Sequence, residues 1–573
     1  MLPLKHILRF SLLIVEFVMM GHSTKSVAVI GAGAAGLVAT EVFSCSGLRV
    51  KAFERSKECG GVWNYATNKK NGPMYKTLRS NLPREIMAFP GFPFIDEIAH
   101  VKKLRRKWQA FKSSNLESGD DHTCTDEISA MLDAFSSSQS SFVNHLEVQL
   151  YLERYAMEHE LSQFVQFGAN VYLVEKSGEQ WDITYSSSDG PELKTESFDN
   201  VVVANGHYNE PYLPHLEGIE KFTGEVMHSL DYDGPIQELY GDRAVLIVGG
   251  RSSGTDLARE ISAVASRVYC SDRNLQRNPG LTHGEEIDDY NNRPEGGGDS
   301  GFGTFENLYY RPGLVRVSPD GHGVIFTDGT EAKVDVIVWC TGYLYDFPFF
   351  PSSVMDASKL PEDIDKSSRD NLFANRRNKV QWAFPTDSDN GGTSLMECNG
   401  RRLKGLYEQC FCARDPTLSF IGIPYAIVPF PLFYVQARWI AAVISGADSL
   451  PPPQEMEKWL NTHQATISAA GQDNDSKYHY AGAEQWNYNR RIARRGNVGA
   501  YSRSGPKTLK RLLRTLNTSE KIYNDNNDRR PRAIGLDDDY RRFRYDVYED
   551  EDEDDRGLEY YPYETVFVGK AND

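Results

Sequence analysis

The sequence predicts an α/β protein built from two nested Rossmann-like dinucleotide-binding domains with parallel sheets. Two glycine-rich turns carry this prediction, GAGAAG at 31–36 and GGRSSG at 249–254, because each directly follows a run of β-branched and small apolar residues. Apolar strands also alternate with helices along the chain, which is typical of parallel sheets. At 573 residues the chain is too long for one core. Two dinucleotide sites in one chain indicate redox chemistry.

The first turn matches the dinucleotide fingerprint at every glycine. Gly31 makes the tight turn, Gly33 lets the backbone approach a pyrophosphate, and Gly36 lets the following helix pack on the strand. The next strand ends in Glu54, about where an acidic residue binds a ribose 2′-hydroxyl. A lone match of this kind could be an ordinary glycine turn, and Glu54 argues against that alternative. The remaining residues of the predicted site are Ala32, Ala34 and Ala35.

The second turn is an imperfect match, because Arg251 stands where a glycine is expected. An arginine there either crowds the pyrophosphate or neutralises it, and both alternatives stay open. The other predicted nucleotide-binding residues of this turn are Gly249, Ser253, Gly254, Thr255 and Asp256.

The strand after the second turn ends in Ser271-Asp272-Arg273 rather than in a single acid. Ser271 and Arg273 suit a 2′-phosphate, so the second site is predicted to bind NADPH. We expect the Asp272 carboxylate to face solvent.

A stretch between the two turns has a specific pattern. FTGEVMHSLDY at 222–232 fits FxGxxxHxxx(Y/F), with Phe222, Gly224, His228 and Tyr232 at the defined positions. With the two turns, it resembles the class B flavin-containing monooxygenases over about 27–495. Tyr232 is similar to the N- and S-oxygenating branch, whereas related Baeyer-Villiger enzymes usually carry Trp. His228 is interpreted as an interdomain linker residue, not as an acid or base.

Further segments carry the same resemblance. ERSKECGGVWNY at 54–65 resembles the stretch that packs against the flavin, which implies contacts from Val62 and Trp63. The segment 74–94 resembles the active-site loop, which implies that Asn81, flanked by Ser80 and Leu82, supports the oxygenated flavin. DVIVWCTGY at 335–343 resembles the return to the flavin domain, which implies that Thr341 and Gly342 bind cofactor, and 201–211 resembles the exit. The sequence of 418–439 is closer to that of plant, fungal or algal members than to the mammalian form.

The resemblance implies FAD and NADPH as cofactors, and amines or thioethers together with molecular oxygen as substrates. NADPH would reduce the flavin, oxygen would form a flavin hydroperoxide, and the substrate would attack it. Little acid-base chemistry from side chains is then needed, since the cofactor carries the reaction. The eight cysteines show no zinc spacing, and no metal site is predicted.

Domain boundaries follow from the order of these segments. We predict a discontinuous FAD-binding domain at 24–214 and 331–450, interrupted by an NADPH-binding domain at 215–330. A helical extension follows at 451–519, and an acidic disordered tail at 520–573. The polar, glycine-rich stretch at 284–303 is predicted to be a surface loop, with a lid over the nicotinamide as the alternative.

The net charge and the N-terminal segment bear on the binding partners and the cellular location of the protein. The net charge of −17 argues against a nucleic-acid partner. Residues 1–23 carry two basic residues and then a short apolar run, which predicts a signal peptide or a membrane anchor. Either one places the protein in the secretory pathway or endoplasmic reticulum. The oligomeric state is not predicted.

The sequence leaves three alternatives to an N- or S-oxygenating enzyme. A Baeyer-Villiger oxygenase is one, and Tyr232 weighs against it. An uncoupled NADPH oxidase is another, because Arg251 bears on how well the nicotinamide cofactor is retained. A flavin-bound, non-catalytic secreted protein is the third, and the presence of Asn81 argues against it.

Overall fold

The structure is a computed structural model, and its described residues cover most of the chain. These are residues 24–65, 72–100, 140–187, 190–273, 307–356, 394–469, 475–496, 502–529, 541, 543–549 and 563–570. The predicted signal peptide or anchor (1–23) and the predicted surface loop (284–303) lie outside them. Among the described residues, no helix is long and apolar enough to cross a bilayer.

The first domain is organised around a seven-stranded sheet with a parallel core. Its strands in spatial order are β21 (Leu406–Tyr407), β22 (Phe411–Cys412), β23 (Leu418–Phe420), β7 (Asn200–Val203), β1 (Ser26–Ile30), β2 (Arg49–Glu54) and β3 (Val165–Phe167). The first glycine turn leaves the carboxyl end of β1, which lies between β2 and β7. Ligands bind at this edge in open α/β sheets.

Both faces of the first sheet are covered. An antiparallel meander packs on one face through Trp181 and Ile183; its strands are β4 (Asn170–Ser177), β5 (Gln180–Ser187) and β6 (Gly190–Phe198). Helices cover the other face, namely α1 (Ala34–Cys45), α2 (His145–Glu158) and α5 (Pro429–Ile444). Parallel strands buried on both faces need the continuous apolar runs seen at β1 and β7.

The second domain contains a five-stranded, fully parallel sheet. Its strands in spatial order are β12 (Leu308–Arg311), β11 (Arg267–Ser271), β10 (Ala244–Val248), β16 (Val336–Trp339) and β9 (Glu225–His228). The helices of this domain are α3 (Gln237–Tyr240) and α4 (Ser252–Ser262). A meander covers the opposite face, formed by β13 (Leu314–Val317), β14 (Gly323–Phe326) and β15 (Glu331–Lys333).

The predicted boundary at 331 was wrong. Val336–Trp339 pairs in parallel with both Ala244–Val248 and Glu225–His228, so it belongs to the second sheet and not to the first domain. The chain crosses between the domains at β8 (Glu210–Pro211) and returns at β17 (Tyr343–Leu344), and these two strands pair antiparallel. The second domain therefore occupies 212–342.

The remaining strands and helices lie after the crossing. A small sheet is formed by β18 (Met355–Asp356), β19 (Met396–Cys398) and β20 (Leu403–Lys404). The C-terminal helices are α6 (Pro453–Ala469), α7 (Gln485–Gly496) and α8 (Leu509–Arg529). Ile492 of α7 and Leu512 and Leu516 of α8 are buried in the core of the first domain. The predicted helical extension is thus packed on the first domain.

The prediction that the chain is disordered from residue 520 was wrong in two respects. Helix α8 continues to Arg529, and β24 (Phe543–Glu549) pairs antiparallel with β25 (Tyr563–Lys570). Arg541 and Tyr545 are buried, and Tyr545 joins a cluster that contains Trp486. The charge of the tail obscured an aromatic and β-branched pattern that favours strands. The acidic run after Glu549 lies outside the described residues.

Candidate active site

The first glycine turn has the geometry that a dinucleotide cradle requires. Gly31 has a φ of +106°, and a Cβ there would lie 2.7 Å from the Ala204 carbonyl oxygen. A Cβ on Gly36 would lie 1.9 Å from the Gly31 carbonyl oxygen. Both distances are too short for a real Cβ, so only glycine lets the turn pass Ala204 at position 31 and lets the helix approach the turn at position 36. At Gly33 the backbone is extended, and a Cβ would fill the space in front of Gly61 Cα at 3.4 Å.

Helix α1 presents its N-terminus to this space. Gly33 is the N-cap residue and provides no side-chain cap. The first N–H groups of a helix have no partner within the helix, and the helix dipole is positive there. The predicted residues Ala32, Ala34 and Ala35 are all small and largely buried. The geometry of the cradle therefore suits a pyrophosphate, and binding by these residues stays a prediction.

Glu54 supports the cradle from the end of β2. Its side chain is buried, and its two carboxylate oxygens accept hydrogen bonds from the Ala32 N–H (2.7 Å) and the Ser56 N–H (2.8 Å). The acid thus lies at the turn itself, on the side predicted for the ribose. Its predicted hydroxyl contact stays a prediction.

The segments predicted to contact the flavin are anchored on the first domain, and one of them lies next to the first glycine turn. Val62 and Trp63 lie in a 3₁₀ turn directly after the Gly60–Gly33 bridge, and Trp63 packs against the first-domain core. Ser80 is fixed by two hydrogen bonds with Val143, and Leu82 packs on the first-domain core.

Asn81 lies between the two domains. Its side-chain amide Nδ2 donates to Ser252 Oγ at 3.3 Å, and Ser252 is the first residue of α4 in the second domain. Asn81 is partly buried, with Ser80 and Leu82 anchored on either side of it. The structure thus places the predicted catalytic residue beside the start of the second nucleotide site. Ser252 was not singled out from the sequence, although it is part of the GGRSSG turn.

The second turn repeats the geometry of the first. Gly249 has a φ of +115°, and a Cβ there would lie 2.5 Å from the Cys340 carbonyl oxygen. A Cβ on Gly254 would lie 1.6 Å from the Gly249 carbonyl oxygen. Arg251 is the N-cap of α4, with an extended backbone at φ −93° and an exposed side chain. The backbone at this position thus accepts a residue other than glycine without strain.

At the end of β11, the Asp272 carboxylate does not face open solvent as expected. It is partly buried and lies against Gly250, where an added Cβ would be 2.8 Å from Asp272 Oδ2. Arg273 is exposed, whereas Ser271 is buried and donates its hydroxyl to the Pro312 carbonyl at 2.7 Å. Arg311 ends the neighbouring strand directly beside Ser271 and adds a second guanidinium that the sequence had not marked.

Residues later in α4 are engaged within the protein. The Thr255 hydroxyl donates to the Arg251 carbonyl at 3.1 Å. The Asp256 carboxylate accepts from the Arg541 guanidinium at 2.9 Å and 3.2 Å, and it lies 3.6 Å from Arg259. Both side chains therefore bond to protein groups in this structure, and their predicted contacts with NADPH stay predictions. The sequence had assigned Arg541 to a disordered tail.

The crossing between the domains is held by His228, the predicted linker residue, and by Thr341 and Gly342, whose predicted cofactor contacts stay predictions. The Gly342 carbonyl accepts from the Tyr212 N–H at 2.9 Å and lies 3.1 Å from His228 Nε2. His228 is fully buried, and its Nδ1 accepts from the Leu230 N–H at 3.1 Å. The Thr341 hydroxyl donates to the Tyr212 carbonyl. Because both ring nitrogens are engaged with backbone groups, His228 acts as a structural link between the domains in this structure.

Two dinucleotide cradles, with the Asn81 amide bonded to the start of the second one, define a protein built to bind two dinucleotides. The model of the family "Flavin-binding monooxygenase-like" matches residues 24–118 and 109–277. Flavin-containing monooxygenase FMO GS-OX-like 4 of Arabidopsis thaliana is 31% identical over 486 residues, covering 82% of this chain and 86% of the relative. FMO GS-OX5 of the same plant is 32% identical over 461 residues, covering 78% and 80%. The chain therefore belongs to the flavin-containing monooxygenase family.

Solved structures agree with this assignment. S-allyl-L-cysteine S-oxygenase from Allium sativum is 28% identical, with a TM-score of 0.62 over 91% of this chain and 97% of that one. Tmm from Pelagibacter sp. strain HTCC7211 shares the fold, at 19% identity and a TM-score of 0.58 over 91% and 94%. The chain is an oxidoreductase that uses FAD and NADPH.

The residues of this chain have separate tasks around those cofactors. When bound, FAD takes reducing equivalents from NADPH and supplies the oxygenating chemistry. The first turn and Glu54 are predicted to hold the FAD nucleotide, and the second turn is predicted to hold NADPH. Asn81 offers a side-chain amide donor between the two domains, and Trp63 and Leu82 pack against the core of the first domain.

Proposed function

We propose that this enzyme transfers one oxygen atom from O₂ to the sulfur of thioethers, with NADPH as the reductant. Its family relatives include a plant S-oxygenase that matches 91% of this chain. A thioether sulfur is itself the nucleophile and needs no proton removed by a side chain. The single observation that carries the proposal is the position of Asn81, 3.3 Å from Ser252 at the start of the second nucleotide helix.

The experiment uses the purified, FAD-loaded full chain. NADPH consumption, peroxide release and product mass are measured with a thioether, a tertiary amine or a cyclic ketone. We expect a sulfoxide in amounts close to the NADPH consumed. Faster N-oxide formation would replace sulfur by nitrogen as the preferred atom, and an ester product would favour a Baeyer-Villiger enzyme.

Two further outcomes contradict oxygenation altogether. Peroxide equal to the NADPH consumed, whatever the substrate, indicates an oxidase. A flavin spectrum that NADPH does not bleach indicates a non-catalytic flavin protein. Asn81→Ala is compared with Asn461→Ala, which changes an exposed asparagine on α6. Only the former is expected to reduce product formation.

We also propose that the enzyme acts in the secretory pathway or endoplasmic reticulum, directed there by a signal peptide or membrane anchor at its N-terminus. Lys5 and Arg9 followed by a short apolar run support this proposal. Fusing residues 1–30 to a reporter that becomes glycosylated in that compartment tests it. A reporter that stays unglycosylated and cytosolic would contradict it.

A further inference from the structure

The segment that carries Asn81 is shared between two cores. We call residues 75–82 the Asn81 segment. Tyr75 is buried in the core of the second domain, where its ring lies 5.2 Å from that of Tyr232, and Leu78 packs against the same core. Leu82, by contrast, packs on the core of the first domain. Asn81 therefore lies where the segment passes from one domain to the other.

Glu260 of α4 holds the part of the segment that lies on the second domain. Its side chain is buried, and its Oε2 accepts hydrogen bonds from Thr77 Oγ1 at 2.6 Å and from Tyr232 Oη at 2.7 Å. Hydrogen bonds to a carboxylate are stronger than those between neutral groups. One oxygen atom thus joins the family-pattern residue Tyr232 to the Asn81 segment.

The same helix holds the other end of the segment. Ser252, two turns before Glu260 on α4, accepts the hydrogen bond from Asn81 Nδ2. Eight helical residues span about 12 Å. The segment is therefore attached to α4 at two separated points, Thr77 and Asn81. A third bond joins the Lys76 N–H to Asp233, the residue after Tyr232.

We propose that Glu260 is a positioning residue, which sets Asn81 against the flavin by fixing the Asn81 segment to the helix that opens the NADPH site. The inference rests on the proposed function, because it assigns Asn81 its oxygenation role. Tyr232 would then contribute through Glu260 and not by touching a substrate. The consequence is that the geometry of Asn81 follows the position of the second domain.

Thr77→Val tests this link with little risk to folding. The Thr77 side chain is exposed, and valine keeps its shape while removing the hydroxyl donated to Glu260. Thr77→Ser keeps the hydroxyl and serves as the rescue variant. Thr330→Val is the matched control, because Thr330 is an exposed threonine that donates to the Asp328 carboxylate in the turn between β14 and β15.

Two measurements are made on the FAD-loaded enzymes. The first is the fraction of NADPH electrons released as peroxide in the presence of a thioether, with kcat and KM for NADPH measured separately. We expect Thr77→Val to raise the peroxide fraction several-fold and lower kcat for product, with KM changed by less than about twofold. The second is hydrogen exchange of backbone amides in 75–82, which we expect to quicken about tenfold. Thr77→Ser should restore both values.

Other results overturn the inference. Thr77→Val values equal to those of Thr330→Val, in either measurement, would show that Glu260 does not position Asn81. Glu260→Ala and the double variant with Thr77→Val should lose coupling equally, since both remove the same bond; additive losses contradict the link. If the wild type makes no oxygenated product, the proposed function fails, while the exchange measurement still decides whether Glu260 holds the segment.

Discussion

Asn81 Nδ2 lies 3.3 Å from Ser252 Oγ, in a hydrogen bond that crosses from the flavin domain to the first residue of the NADPH-domain helix α4. The two residues are 171 positions apart in sequence. Because NADPH is expected at the start of this helix, its arrival would bring a competing partner close to the Asn81 amide. The contact therefore connects the predicted NADPH site with the residue that is predicted to support the flavin.

Asn81→Ala should strongly reduce oxygenated product and divert NADPH electrons to peroxide. Removal of one donor that stabilises charge in an active site typically costs about 10²–10³ in kcat. Product and peroxide are measured together at saturating NADPH. Binding of FAD should be unchanged, since the first glycine turn and Glu54 are predicted to hold its nucleotide. An Asn81→Ala enzyme that remains fully coupled would remove Asn81 from the catalytic residues.

Arg251→Gly should weaken NADPH binding by about tenfold, the effect of losing one charge-assisted contact with a phosphate. The backbone at Arg251 is extended and its side chain is exposed, so steric crowding of the turn is not evident. The dissociation constant is measured by titrating NADP⁺ against the flavin spectrum. Arg251→Lys keeps the charge and serves as the control. Tighter binding in the glycine variant would show instead that the arginine obstructs the turn.

Gly36→Ala should abolish FAD retention. The added Cβ would lie 1.9 Å from the Gly31 carbonyl, so the helix must move away from the turn. The ratio of flavin to protein after purification measures the effect. Gly190→Ala is the control, because a Cβ there meets nothing within 4 Å. Full flavin content in the Gly36 variant would contradict the cradle.

Arg541→Met should destabilise the protein, although the sequence placed Arg541 in a disordered tail. Its guanidinium is 1% exposed and bonds to Asp256 of the second domain. Breaking a buried pair from one side costs about 3–5 kcal/mol, because the remaining carboxylate loses its compensation. The thermal unfolding midpoint is compared with that of Arg494→Met, which removes an exposed arginine of α7. Equal midpoints would mean that the tail contributes no stability.

Glu85 should make the protein less stable as the pH rises from about 4.5 to 7. Burial raises the pKa of Glu85 from its ordinary value of 4.5 to about 7, against the lowering effect of Arg84. The folded state then binds more protons than the unfolded state within this window, so its stability falls as the pH rises.

Glu85→Gln should remove that dependence and stabilise the protein at pH 8 relative to the wild type, by roughly 1–3 kcal/mol. Unfolding is followed in denaturant at pH 5 and pH 8. Glu331→Gln, at an exposed position of β15, is the control. The same pH dependence in the wild type and the Glu85 variant would contradict the prediction.

The sequence determined the elements whose cause is local. Turns such as Gly31–Gly36 depend on a glycine that must have a positive φ and on another that must have no Cβ, and both conditions are visible in the residue types. The apolar runs of β1 and β10 indicated buried parallel strands for the same reason. The pairing of two such units was enough to predict redox chemistry with two dinucleotides, and the family resemblance of other segments then implied FAD and NADPH as cofactors.

The tertiary structure decided what depends on pairing between distant segments. Val336–Trp339 reads equally well as a strand of either sheet, and only its register beside Ala244–Val248 assigns it to the second domain. The hydrogen bonds of Asn81, Glu260 and Arg541 each join positions far apart in the chain. The spacing of residues along the sequence does not predict such contacts, because they form only when separate parts of the chain pack together.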